Sequence, residues 1–70
     1  MNGIVECENG KYAVCAPVPV MYYDWDRLYN SLSNDGYKVY SMLEPEKPYW
    51  FVFFDTFLEA FEFKVTRVDN

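Results

Sequence analysis

The sequence predicts a small α+β domain with one helix packed on a mostly antiparallel sheet, its elements ordered ββαβββ. Three observations carry that expectation. Seventy residues make a single domain, 1–70. Asn9-Gly10 separates two runs of strand-forming residues, which is a strong hairpin signal. Trp25, Leu28, Tyr29 and Leu32 fall at i, i+3, i+4 and i+7, the apolar stripe of a helix.

Local chemistry places each element in turn. Residues 4–16 read as a hairpin closed by a two-residue type I′ turn, since Asn9 and Gly10 tolerate positive φ. Counting outward pairs Cys7 with Tyr12, Val5 with Val14 and Ile4 with Cys15, with Glu8 and Lys11 pairing across the turn. Val5, Cys7, Tyr12 and Val14 then form the core face. Cys15 falls on the face opposite Cys7, which forbids a bond between them. Pro17 and Pro19 remove donors and fix φ, so residues 16–20 form an extended connector.

A helix follows over 24–34, with Asp24 as N-cap, Asp26 in its first turn and Gly36 in the left-handed position after its end. Residues 37–43 alternate as a strand, and Glu44-Pro45-Glu46-Lys47-Pro48 is a stiff loop. The apolar run 49–54 suits a central strand covered on both faces. Residues 55–60 admit two readings. Thr56 and Glu59 have capping-box spacing for one helical turn, whereas Asp55-Thr56 would make a tight hairpin. The shortness of the run favours the hairpin. A last strand over 61–68 would then point Phe61, Phe63 and Val65 inward, with Glu62, Lys64 and Thr66 outward.

Composition narrows the function. Two Trp, seven Tyr and six Phe in so short a chain imply a folded core rather than disorder. Six basic against eleven acidic residues give a net charge of −5, the wrong sign for direct contact with nucleic acid or an anionic membrane. A basic protein surface is the natural complement. The N-terminus lacks a basic, apolar leader pattern, and the longest apolar stretch is far too short to span a bilayer. A cytoplasmic, self-contained gene product with two free thiols is the expectation.

Nothing in the residue pattern supplies catalytic chemistry. There is no histidine to serve as general base or zinc ligand. Cys7 and Cys15 lack C-x-x-C spacing, and no phosphate-binding glycine motif or calcium loop occurs. The carboxylate pairs Glu6/Glu8, Asp24/Asp26 and Glu44/Glu46 read as solvated neighbours. The expectation is a protein that is not an enzyme, with no catalytic residue, cofactor or metal.

Two segments instead have the composition of contact surfaces. Tyr22, Tyr23, Asp24 and Asp26 mix rings and carboxylates at the helix entry, and such rings dominate interface hot spots. Glu44, Glu46, Tyr49 and Trp50 surround a proline-stiffened loop that loses little entropy on docking. The ordinary alternatives are that the rings close the core and that the loop only connects strands.

In size, charge and composition the chain resembles the small inhibitors that phages encode, such as anti-CRISPR proteins and uracil-DNA glycosylase inhibitors. The likeness extends to no motif. It implies an inhibitor that blocks a basic or nucleic-acid-binding site of a host protein, such as a nucleic-acid-processing enzyme, by DNA mimicry or by shape. Eleven acids offset by six bases are a sparse array beside duplex DNA, which carries one charge per about 1.7 Å. The second class is a structural or regulatory module, homodimeric through an exposed strand edge or a subunit of a larger complex.

Overall fold

The computed structural model describes residues 3–69. Its order is ββαββα: β1 (Gly3–Glu6), β2 (Tyr12–Pro17), α1 (Tyr22–Asn34), β3 (Tyr40–Met42), β4 (Tyr49–Phe54) and α2 (Phe57–Phe63). A short π-helical extension, Lys64–Val68, completes α2. The strands form one antiparallel sheet in the order β1-β2-β4-β3. The α+β class therefore holds, with two helices rather than one and, among the described residues, no strand after β4.

The hairpin differs from its expected register by one residue. Within the turn only Gly10 takes positive φ, at 83°, and among the described residues no non-glycine residue does. The Cys7 amide donates to Lys11 O at 2.8 Å and the Gly10 amide to Cys7 O at 3.0 Å. This is a three-residue loop, Glu8-Asn9-Gly10, whose glycine forms a bulge. The pairs become Glu6 with Tyr12, Val5 with Ala13, Ile4 with Val14 and Gly3 with Cys15. A one-residue slip exchanges the faces. Ile4, Tyr12 and Val14 now point towards the helices, while Val5, Ala13 and Cys15 point away. Cys7 and Cys15 share a side instead of opposing one another. They remain free because Cys15 lies opposite Gly3, four residues from Cys7 along the strand. Lys11 pairs with Asp55 at 2.7 Å, not with Glu8.

Helix α1 starts two residues before the expected Asp24. Met21 is extended, and its carbonyl accepts from the Asp24 and Trp25 amides at 3.1 and 3.2 Å. Asp24 thus sits inside the first turn, where its charge still suits the helix dipole. Leu32 is buried, and Trp25 and Leu28 pack beside it. Gly36 ends the helix at φ 95°. The Gly36 and Tyr37 amides reach back to Ser33 O and Leu32 O at 3.1 and 3.0 Å, a Schellman closure.

The C-terminal third carries the main correction. Thr56 caps α2 by accepting the Glu59 amide at 3.2 Å, so the capping-box reading prevails over the hairpin. Residues expected as a strand over 61–68 are helical instead. Ala60 and Phe63, at i and i+3, are buried, whereas Phe61 and Val65 are exposed. The extension is closed by the Asp69 amide on Lys64 O at 2.8 Å and by Lys64 Nζ on Asp69 at 2.6 Å. Arg67 ties it to the end of α1 through Asp35 at 2.8 Å and Ser31 at 3.2 Å.

The strand expected over 37–43 contracts to Tyr40–Met42. Tyr37 instead turns its ring into the core, 4.9 Å from the Phe63 ring and 6.2 Å from that of Phe54. Val14, Ala16, Trp50, Val52, Leu32, Ala60 and Phe63 form the buried centre. Both helices thus contribute to a core on one face of the sheet.

Candidate functional site

Strand β4 is central, as its apolar run suggests, but the helices cover only one of its faces. Alternation sends Trp50 and Val52 into the core and Tyr49, Phe51 and Phe53 to the other side. The β2–β4 register places Ala13 beside Phe53, Cys15 beside Phe51 and Pro17 beside Tyr49. On the β3 flank, Tyr40 adjoins Phe51 and Met42 adjoins Tyr49. This open face carries no charged side chain within its strands.

Its rings form a continuous layer. Tyr40 stacks on Phe51 at 5.6 Å and meets Phe53 edge-on at 5.6 Å. Phe51 contacts Phe53 at 5.3 Å and Tyr49 at 5.9 Å. Phe53 is 38% exposed, Tyr40 42% and Val5 46%. Strand β2 takes in Ala16 and Pro17 of the expected connector 16–20, since among the described residues β1 ends opposite Cys15 and the proline needs to pair with β4 alone. Beside the rings lies an open hollow of about 1220 Å³, floored by Val5, Ala13 and Cys15 and walled by residues 17–20 and the loop 44–48. A space this wide and open suits a macromolecular surface better than a single small ligand. The Val18 amide on Pro48 O at 3.0 Å joins the two walls.

The eight residues expected to bind a partner divide three ways. Glu44, Glu46 and Tyr49 line this hollow together. Trp50 does not belong with them: it is 2% exposed and lies in the core, because its strand position has the opposite parity to Tyr49. Tyr22, Tyr23, Asp24 and Asp26 form a separate exposed group on the first turns of α1.

That helix entry has its own internal order. Tyr22 is 78% and Tyr23 61% exposed, following a fully exposed Val20. Arg27 donates to Tyr23 Oη at 2.8 Å, with its guanidinium 4.8 Å from the ring centroid. This holds the Tyr23 ring by a hydrogen bond and a cation–π contact. Asn30 donates to Asp26 at 3.3 Å. Asp24 leaves a second carboxylate on the same exposed turn.

Cys15 also bears on the chemistry. Burial, and then the nearby Cys7, push its pKa up. A thiol held protonated is a weak nucleophile at neutral pH, and both cysteines present themselves as small apolar side chains. Among the described residues no group of three or more His, Cys, Asp or Glu side chains is arranged to hold a metal. No helix there is long and apolar enough to cross a membrane.

The open-face group of Val5, Tyr40, Met42, Phe51 and Phe53 was not among the expected site residues. No signal marked it, because Tyr49–Phe54 is apolar at every position and only the parity of β4 separates Tyr49, Phe51 and Phe53 from Trp50 and Val52. Against protein-family models, curated proteins and solved structures, the chain gives no significant match.

Proposed function

We propose that this chain is a non-enzymatic binding protein whose tyrosine-bearing acidic helix entry docks on a basic surface of another protein. One observation carries the reading. Tyr22 and Tyr23 stand in solvent beside Asp24 and Asp26, with Tyr23 held in place by Arg27. Exposing two large rings on a small domain has no packing benefit, whereas tyrosines serve as low-entropy interface anchors. A net charge of −5 supplies the long-range attraction to a basic target. The finer reading is an inhibitor that covers the nucleic-acid-binding site of such a target. Shape and rings do more of that work than charge mimicry, because only two carboxylates flank the tyrosines.

The test is a tagged pull-down from bacterial lysate at low and high salt, run beside Tyr22→Ala/Tyr23→Ala and Asp24→Lys/Asp26→Lys variants. A protein retained at low salt, released at high salt and lost with both variants supports the reading. Surface kinetics should then show the charge reversal lowering the on-rate and the ring removal raising the off-rate. If both variants retain the same proteins as the wild type, the helix entry is not the contact.

A further inference from the structure

We propose that the open sheet face pairs with the same face of a second copy, giving a two-fold dimer in which two sheets stack around a second apolar core. This goes beyond the helix-entry reading and uses a different surface.

The face is self-complementary in relief. Its β4–β3 half carries Phe51, Phe53, Tyr40 and Met42, while its β1–β2 half carries Ala13, Cys15 and Gly3. A two-fold axis parallel to the strands, midway between β2 and β4, lays the thick half of each copy on the thin half of the other. Residues in one register row then meet across the interface. Phe53 of one copy covers Ala13 of the other, Phe51 covers Cys15, and Tyr40 covers Gly3. A Cβ built at Gly3 would meet nothing within 4 Å, so the surface is open at that position. An axis perpendicular to the strands would instead set ring against ring and leave the thin halves apart.

Charge agrees with the same axis. Lys11 and Asp55 bound the hairpin end of the face as an exposed ion pair. They extend the β2–β4 rows, so the two-fold sets Lys11 of each copy opposite Asp55 of the other. Within the strands no charge is buried by the contact. A foreign basic partner would find no carboxylate at the centre of this face, and at its rim Glu44 and Glu46 stand beside Lys47 and Asp55 is already paired with Lys11.

The face exposes apolar area for such a contact. Val5, Tyr40, Met42 and Phe53 are each between 38% and 46% exposed. Stacking two copies must bury at least about 1,000 Å² to reach the range of a specific interface. Sheets stacked about 10 Å apart interdigitate side chains in this way. The dimer would also gather both loops 44–48 at one end, next to both connectors that lead to the helix entries.

Sedimentation equilibrium of the full chain from about 5 to 300 µM tests this, with thiol reactivity towards an aromatic disulfide reagent as a second readout. The expected mass rises with concentration from 8.4 kDa towards twice that value. Because Cys15 is covered in the dimer, its reaction should slow at least several-fold over the same range. Phe53→Glu should weaken dimerisation at least tenfold, while Phe61→Glu, on the exposed side of α2, should leave it unchanged. A monomer throughout the range, with thiol reactivity independent of concentration, overturns the proposal. So does a dimer sensitive to Phe61→Glu and indifferent to Phe53→Glu. Should Phe53→Glu fail to fold, the thiol readout on the unaltered chain decides alone.

Discussion

The two faces of the sheet are built from the same strands and similar residues, yet they do different physical work. The covered face carries Val14, Ala16, Trp50 and Val52 against Leu32, Ala60 and Phe63, and all seven are buried. The open face carries Val5, Tyr40, Met42 and Phe53, each left more than a third exposed. The difference lies in what the helices reach. Both α1 and α2 close on one side, and among the described residues no further element covers the other. A small domain thus keeps one face for stability and leaves the other apolar and open.

Substitutions on the covered side should break this arrangement most severely. Trp50→Ala removes a 2% exposed ring that meets Phe63 at 6.3 Å. It should cost about 3–5 kcal/mol, much of the stability of so small a domain, as read by urea unfolding. Gly36→Ala forces a side chain into φ 95° at the Schellman closure that brings Tyr37 into the core. The expected loss is about 1–2 kcal/mol in the same assay. Thr56→Ala removes the oxygen that caps α2 through the Glu59 amide. It should cost about 1 kcal/mol, and the helical circular dichroism should weaken with it.

The smallest effect is expected at the end of the open face. The Lys11–Asp55 hydrogen bond and charge lower the Asp55 pKa from 3.8 and raise the Lys11 pKa from 10.5. A lowered carboxyl pKa contributes stability above about pH 3.8 that disappears as pH falls through the folded value. The raised lysine pKa contributes below about pH 10.5, and that part disappears as pH rises through its folded value. Asp55→Asn should therefore flatten the acid and alkaline limbs of a melting-temperature scan slightly. The pair is exposed, so added salt should shrink even that difference.

How legible these faces were in the sequence depended on whether the local signal was unique. The Trp25, Leu28, Tyr29, Leu32 stripe and the Gly36 stop give α1, although Tyr29, at the edge of the stripe, stays 42% exposed while the other three pack on the core. Asn9-Gly10 has two readings, a two-residue turn or a three-residue loop with a glycine bulge. They differ by one residue in register, which is enough to exchange Val5 and Ile4 between core and surface. The run Tyr49–Phe54 is apolar at every position, so it cannot announce that Trp50 goes inward while Phe51 goes outward. Only the count of covering elements decides that, and the second helix was itself obscured. Phe61, Phe63 and Val65 alternate like a strand, while Ala60 and Phe63 keep helical spacing. The cap at Thr56 tips the balance, with Tyr37, Trp50 and Phe54 closing around Phe63. The helix entry was visible early because Tyr22 and Tyr23 lie outside the apolar stripe of α1.

Val52 and Phe53 are neighbours in β4 that point to opposite faces, and comparing them tests the division of labour most directly. Val52→Ala and Phe53→Glu would each be followed by urea unfolding and by sedimentation equilibrium. Val52→Ala should lose about 2 kcal/mol of stability and leave self-association unchanged. Phe53→Glu gives up its ring contacts with Tyr40 and Phe51, so it should cost about 1–2 kcal/mol and weaken self-association at least tenfold. Self-association untouched by Phe53→Glu, or weakened as much by Val52→Ala, would contradict the account.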